Sequence, residues 1–365
     1  MTAHPVDTGT LSDLLCAMLE HEGCAPEEAR IVADHLVEAS ARGHDSHGVV
    51  RISRYVQWLR SGKIKANRAA KVIADIGALV QLDGQSGMGQ RLAGEAISIG
   101  IERARSHGTA IVAMRHAGHI GRLGAYAEQA ARAGFVSLHF VNVGGSRIVA
   151  PFGSAEAACS TAPIAIGVPN PGGDDFILDF ATSMVAEGKA LVAARGGPPL
   201  PSESLVGGDG QRTSDPQILY GDTLNAQVPD PRAGTGALRT MGDHKGSGLA
   251  LACELLAGAL TGNGTNKQGD GIFGNGYVAI VLDPARLDDT GGFAAEVRDY
   301  IDFVRGLRPE AGLERVQIPG DPERARQHHT RLNGLTVPPG VMQAILDLAE
   351  EMGLDTQGLE HEAMT

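Results

Sequence analysis

The sequence predicts an α/β protein. Short apolar runs rich in Val and Ile alternate with helical stretches from residue 80 onward, the pattern of strands separated by helices. Its 50 glycines and only 4% aromatic residues suit many turns and close helix–sheet packing. The one glycine-rich turn between a strand and a helix fails the spacing of the dinucleotide fingerprint, so the class is α/β without a Rossmann turn.

Leu11 to Arg42 reads as two helices broken at Gly23, the second opening at Ala25-Pro26-Glu27-Glu28 with Pro in its first turn and acids toward the positive end of the dipole. Val72 to Leu82 reads as a strand or hairpin, and Gln90 to His107 as a helix. Ala110 to Met114 and Val136 to Val141 are strands flanking a helix from Leu123 to Ala133. Two more strands, Ile164 to Val168 and Phe176 to Phe180, face each other across the turn Pro169 to Asp174. Helices are expected over Ser183 to Ala194, Lys245 to Leu260 and Phe293 to Leu307, with a strand from Tyr277 to Leu282. Gly196 to Arg239, rich in Gly, Pro, Asp and Ser, is too long for a plain connection and reads as a functional loop over the surface.

A chain of 365 residues can bury a large core without staples, and its four cysteines, Cys16, Cys24, Cys159 and Cys253, are too scattered for a disulfide framework or a cysteine-rich zinc site. The N-terminus lacks a secretory pattern and no apolar run approaches a membrane span, so a cytoplasmic location is expected. A net charge of −12 argues against nucleic acid or anionic lipid as partner, and an anionic small-molecule substrate then requires a local basic site.

In Gly84-Gln-Ser-Gly-Met-Gly89 a fingerprint counted from Gly87-Met-Gly89 puts Leu92 where a third Gly belongs. These glycines are better read as shaping a turn or permitting close packing. The polar clusters lie elsewhere. Ser46-His47 is followed by Arg51 and Tyr55 at roughly helical spacing, which offers an acid/base, a carboxylate-gripping guanidinium and a phenol to one pocket. A second cluster, Arg115-His-Ala-Gly-His119-Ile-Gly-Arg122, follows a strand and precedes a helix. Two HxxH pairs also permit a zinc reading, with a metal-dependent hydrolase or lyase as its consequence, but no carboxylate-bearing zincin motif accompanies them and no metal is assigned. Any one of these histidines alone is more often a structural residue than a catalytic one.

Five blocks in order, Asp45-Ser-His-Gly-Val-Val-Arg51, Gly118-His-Ile-Gly-Arg122, Leu178-Asp-Phe-Ala-Thr-Ser183, His244-Lys-Gly-Ser-Gly-Leu-Ala250 and Ile318-Pro-Gly-Asp321, resemble the malate/L-lactate dehydrogenase family. This family is distinct from the common lactate and malate dehydrogenases and includes ureidoglycolate, sulfolactate, diketogulonate and piperideine-carboxylate enzymes. The resemblance implies a mixed-sheet NAD(P)-binding fold unlike Rossmann, a homodimer, and hydride transfer between NAD or NADP and a small 2-hydroxy or 2-oxo acid, with a cyclic imine carboxylate as the alternative substrate. It also implies roles: His47 as proton donor/acceptor, His119 in acid/base or substrate-orienting work, Ser46, Arg51 and Tyr55 on the substrate, and Asp179, Ala181, Thr182, Ser183, His244, Lys245, Gly320 and Asp321 on the cofactor.

On this basis the chain divides into an N-terminal helical segment with the substrate motif (1–70), an α/β region of substrate and dimer contacts (71–135), an NAD(P)-binding region (136–310) and a C-terminal segment that returns to the cofactor (311–365). Thr161-Ala162-Pro163, Met241-Gly242-Asp243 and Asn142-Val-Gly-Gly-Ser146 depart from the family's commoner Thr-Asn-Pro, glycine pair and Thr-Asn-Ser, so some cofactor contacts are expected to differ. Arg122 and Arg195 are the basic residues considered for a 2′-phosphate.

Overall fold

The computed structural model describes residues 5–194, 196–225, 229–267, 273–356 and 359. The chain opens with a two-residue strand, β1 (Pro5–Val6), and the helices α1 (Thr8–His21) and α2 (Pro26–Ala41). Asp7 caps α1 by accepting from the Thr10 amide, and Pro26 occupies the first turn of α2, where a missing N–H costs nothing. Two short 3-10 turns, Asp45–His47 and Val49–Arg51, lead into α3 (Ile52–Arg60).

The predicted hairpin is β2 (Lys71–Ile76) with β3 (Leu79–Asp83), followed by α4 (Gly89–His107), β4 (Thr109–Ala117), α5 (Gly124–Arg132) and β5 (Val136–Gly144). β6 (Ile164–Val168) and β7 (Phe176–Phe180) have the predicted bounds. The next helix, α6, spans Glu187–Ala194 and not the expected Ser183 to Ala194, because Ser183 bridges to Thr240 and turns its hydroxyl onto the Val185 carbonyl. The stretch expected to be a surface loop carries structure of its own: β8 (Leu205–Val206), β9 (Arg212–Thr213), α7 (Gln217–Tyr220) and β10 (Ala237–Leu238), whose strands form a small sheet in the order β10-β8-β9.

The helix predicted from Lys245 is α8 (His244–Cys253), which widens into a π-helical turn over Glu254–Leu260. Then come β11 (Gly274–Leu282), α9 (Pro284–Leu287), α10 (Phe293–Arg305), α11 (Asp321–Asn333), β12 (Leu335–Thr336) and α12 (Pro339–Glu351).

A seven-stranded sheet in the order β2-β3-β4-β11-β5-β6-β7 is the frame of the molecule. β3 and β4 are parallel and joined through α4, and the other neighbours are antiparallel, so the sheet is mixed as expected. It takes strands from both sides of residue 135. α4 and α5 cover it, burying Leu92, Ile97 and Tyr126 against Val112, Met114 and Tyr277. A second core joins α1, α2 and α3 to the C-terminal segment through Leu15, Leu36, Ile52, Leu335 and Ile345, and β1 pairs with β12. A third, around Val149, Leu205, Tyr220, Leu238 and Cys253, lies under the small sheet. The four cysteines are buried and unpaired. Among the described residues no helix is long and apolar enough to cross a membrane.

Candidate active site

The two histidine motifs meet although 72 residues of chain separate them. His47 ends the 3-10 turn Asp45–His47, held by its amide's hydrogen bond to the His44 carbonyl at 2.8 Å. Gly48 follows because the Ser40 hydroxyl, which accepts from the Val49 amide, stands 1.9 Å from where a Cβ would be. His119 lies on the loop after β4. That loop is pinned by the Ile120 amide on Asn275 Oδ1 at 3.0 Å and by the Arg122 amide on His35 Nε2 at 2.8 Å. The rings of His47 and His119 stack, with centroids 5.4 Å apart and planes 17° from parallel.

The other predicted substrate residues surround this pair. Ser46 Oγ lies 2.9 Å from His47 Nδ1, and the Tyr55 hydroxyl 2.6 Å from His119 Nδ1. Arg51, at the junction of the second 3-10 turn and α3, donates through Nε to the Ser46 carbonyl and so locks the turn that carries His47. Arg54, one helical turn on, faces the same neighbourhood, and its charge acts on His119 together with that of Arg51. Burial, reinforced by Arg51, pushes His47 down to about 3 from the usual 6.5 and holds His119 well below it. Both imidazoles are therefore neutral at pH 7, with cationic guanidinium beside them. Burial also pushes the Tyr55 phenol up, so it remains a hydroxyl.

The glycine loop read from sequence as a packing device has that role. A Cβ on Gly89 would lie 2.3 Å from the His119 carbonyl oxygen and 2.4 Å from that of Gly118, and one on Gly118 would lie 2.5 Å from the Gly87 carbonyl oxygen. The two loops lie backbone to backbone, which brings Gln90 onto Tyr55 with Nε2 2.7 Å from the hydroxyl. The four motif histidines do not converge on one point: His44 faces Glu323 at 3.5 Å, and His116, at φ 54°, faces Asp83 at 3.1 Å. Among the described residues no three His, Cys, Asp or Glu side chains are placed to hold a metal ion.

The three segments expected at the cofactor gather beside the end of β7. The Met241 amide donates to the Thr182 carbonyl at 2.9 Å, bringing the start of α8 to Asp179–Ser183, and the Ile177 amide donates to the Pro319 carbonyl at 3.2 Å, bringing Gly320 and Asp321 to the same strand. Asp179 accepts from the Gly124 amide at 2.7 Å, which ties β7 to the loop of His119. Burial raises its carboxyl above the ordinary value. Ala181 follows β7 directly.

Several of these side chains are already engaged within the protein. Thr182 donates to the Thr161 carbonyl and Ser183 to that of Val185. Asp321, 4% exposed, accepts from Arg305 and Arg324, each at 2.6 Å, and from the Ile318 amide. Burial pushes its carboxyl up, but the amide and the two guanidiniums outweigh this and hold it below the usual range.

His244 and Lys245 are exposed at the start of α8, and Lys245 has no ion pair among the described residues. Asp243 adopts φ 54° and turns its carboxylate to Arg239 instead of capping the helix. An uncapped helix start carrying a free ammonium suits a phosphate-bearing cofactor. Arg122, considered for a 2′-phosphate, is 2% exposed and makes two 3.0 Å bonds to Glu128, so it is unavailable. Arg195 lies outside the described residues.

A family model described as Malate/L-lactate dehydrogenase matches residues 6–346. The chain belongs to this family. Among its relatives, it is 36% identical over 367 residues to hydroxycarboxylate dehydrogenase B of Escherichia coli O157:H7, covering 98% of this chain and 97% of that one. It is 36% identical over 329 residues to an L-lactate dehydrogenase of Cupriavidus necator, covering 88% and 90%. The structure of sulfolactate dehydrogenase from Methanocaldococcus jannaschii superposes with a TM-score of 0.84 at 28% identity, covering 96% of this chain and 98% of that one. Membership accounts for the mixed sheet and the failed glycine fingerprint together.

Sequence reasoning missed Gln90, Arg54 and His35. Arg54 had a usable signal in its helical spacing from Arg51, whereas Gln90 and His35 reach the site only through packing.

Proposed function

We propose that the protein transfers hydride between NAD or NADP and C2 of a small 2-hydroxy or 2-oxo carboxylic acid. The observation that carries this reading is the stacked pair of neutral imidazoles, His47 and His119, set against the cationic Arg51.

The Arg51 guanidinium takes the substrate carboxylate through its terminal nitrogens, since Nε is committed to Ser46. The substrate's C2 oxygen then falls between the two histidines, with His47 exchanging the proton. A neutral imidazole is ready to accept a proton from a hydroxy acid without first losing its own. In the opposite direction, a bound carboxylate offsets the charge of Arg51, one of the influences that depress both histidines, and so favours the protonated form that a 2-oxo acid needs. Ser46 and Tyr55 hold the two rings at Nδ1. Lys245, with His244 and the start of α8, would take the negative diphosphate, and the Asp179–Ser183 segment and the Gly320 turn would flank the nucleotide. The nicotinamide supplies or receives the hydride. The homodimer belongs to the same reading, and light scattering is expected to give the mass of two chains.

The test is titration with NADH and NADPH, then absorbance at the nicotinamide band across 2-oxo acids, 2-hydroxy acids and cyclic imine acids in the presence of chelator. Turnover that survives chelator and collapses in Arg51→Ala and His47→Ala is the expected result. Failure of both nucleotides to bind, with no substrate in the panel reacting, overturns the reading.

A further inference from the structure

Behind Tyr55 stands a residue whose side chain connects to His119 through the Tyr55 hydroxyl. Gln90 is the second residue of α4, 2% exposed, and is delivered to the site by the glycine loop whose backbone lies against that of His119. Its Nε2 is 2.7 Å from the Tyr55 hydroxyl, that hydroxyl is 2.6 Å from His119 Nδ1, and among the described residues Gln90 Oε1 has no hydrogen-bond partner.

These distances define a chain of three groups in which one arrangement of protons strands the fewest donors. The amide nitrogen must give its hydrogen to the Tyr55 oxygen. Turning the amide over would strand both of its N–H groups where Oε1 now sits, and a buried N–H without a partner is rarer than an under-used carbonyl. Tyr55 has a single proton, and among the described residues the acceptor within its reach is His119 Nδ1. Were Nδ1 to carry a hydrogen instead, it and the Tyr55 hydroxyl would both point donors into the same gap, or the hydroxyl proton would be buried unpaired at a cost of about 1–3 kcal/mol.

We propose that Gln90 is a positioning residue for the reaction: by donating to Tyr55 it obliges the hydroxyl to donate to His119 Nδ1, and so keeps the proton of the neutral imidazole on Nε2, the nitrogen left to face the substrate. His119 thereby presents a donor to the C2 oxygen of a 2-oxo acid and to the negative charge that grows there as hydride arrives. His47 is under no such constraint, because the hydroxyl at its Nδ1 belongs to Ser46, whose side chain has no further hydrogen bond among the described residues to fix its direction. One ring is held in a single tautomer and its stacked partner is left adjustable. The inference rests on the proposed reading for its consequence in catalysis, but the tautomer belongs to the protein without ligand.

The experiment is nitrogen-15 NMR of ligand-free protein labelled at histidine, with His119 assigned by the signals lost in His119→Asn. Wild type is expected to show His119 protonated at Nε2 and bare at Nδ1. Gln90→Met, close in shape and without hydrogen-bonding groups, is expected to show both tautomers. Gln90→Glu, whose ionised carboxylate can only accept, is expected to draw the Tyr55 proton toward itself and shift the imidazole proton to Nδ1. In turnover, Gln90→Met is expected to lower kcat for 2-oxo acid reduction about tenfold with KM changed less than about twofold, since the lost interaction acts on the developing charge.

A wild-type ring that is mixed or protonated at Nδ1 overturns the proposal, as does a tautomer unmoved by Gln90→Met. If neither variant folds, the wild-type spectrum decides alone. The spectra require no turnover, so inactivity toward every acid in the panel would remove the hydride-transfer reading and leave the tautomer result standing.

Discussion

The imidazoles of His47 and His119 lie face to face, 5.4 Å between centroids, and each is kept from protonating by burial and by Arg51. A pair of neutral imidazoles beside a fixed cation awaits an anion. The kinetic consequence is a pH profile unlike that of an exposed histidine. For the free enzyme, kcat/KM for oxidation of the hydroxy acid is expected to show no histidine limb near 6.5, because His47 titrates near 3. In kcat the acid limb is expected at higher pH, since the bound carboxylate offsets Arg51. Steady-state profiles from pH 5 to 9 check this, and coincident limbs at 6.5 in both parameters would contradict it.

Arg51 and Arg54 sit three residues apart, and Arg54 has Glu187 and Asp230 in its surroundings but no ion pair with them. Arg51→Lys is expected to lower kcat/KM by about 100-fold or more, because a point charge replaces a fork that also holds the Ser46 carbonyl. Arg54→Met is expected to act selectively, raising KM roughly tenfold for acids with a second anionic group and little for those without one. Equal effects on both classes would remove Arg54 from substrate selection.

Gly89 has no room for a methyl group. Gly89→Ala places a Cβ against two backbone carbonyls, which cannot swing aside as a side chain can. A loss of about 2–4 kcal/mol in denaturant unfolding is expected, with a fall in kcat from displaced His119. An alanine variant as stable and active as wild type would show that the loops yield more easily than their contacts imply.

His139 offers a test of acid stability away from the site. It is fully buried in β5 between Ser137 and the Tyr277 hydroxyl, and burial pushes it down to about 3. The unfolded chain binds a proton at this residue below about 6.5 and the folded one does not until about 3, so its contribution falls as pH drops through that window, by up to about 1.4 kcal/mol per pH unit. His139→Gln is expected to lower stability at pH 7 yet to flatten the acid-side slope by about that amount. Denaturant titrations between pH 4.5 and 7.5 check both signs, and an unchanged slope would show that His139 protonates in the folded state.

Local pattern determined much of this protein. The proline and acidic signals at the start of α2, the turn between β6 and β7 and the alternation of strand and helix depend on neighbours a few residues apart, and their elements fall close to where the sequence places them. The family was legible for a related reason: its five blocks are contiguous runs whose order survives in one dimension.

The tertiary structure decided what the polar side chains do. Asp321 has the sequence surroundings of a cofactor turn, yet the fold places Arg305 and Arg324 around its carboxylate. Ser183 was expected to begin a helix, but a bridge to Thr240 holds it extended. His35 stands alone in α2 until Arg122, 87 residues on, needs an acceptor for its amide. Gln90 is an ordinary helix residue until two glycine loops close on each other and set it behind Tyr55. Hydrogen bonds and ion pairs act over about 3 Å, and no pattern within a single segment carries the information about which distant segment will come that near.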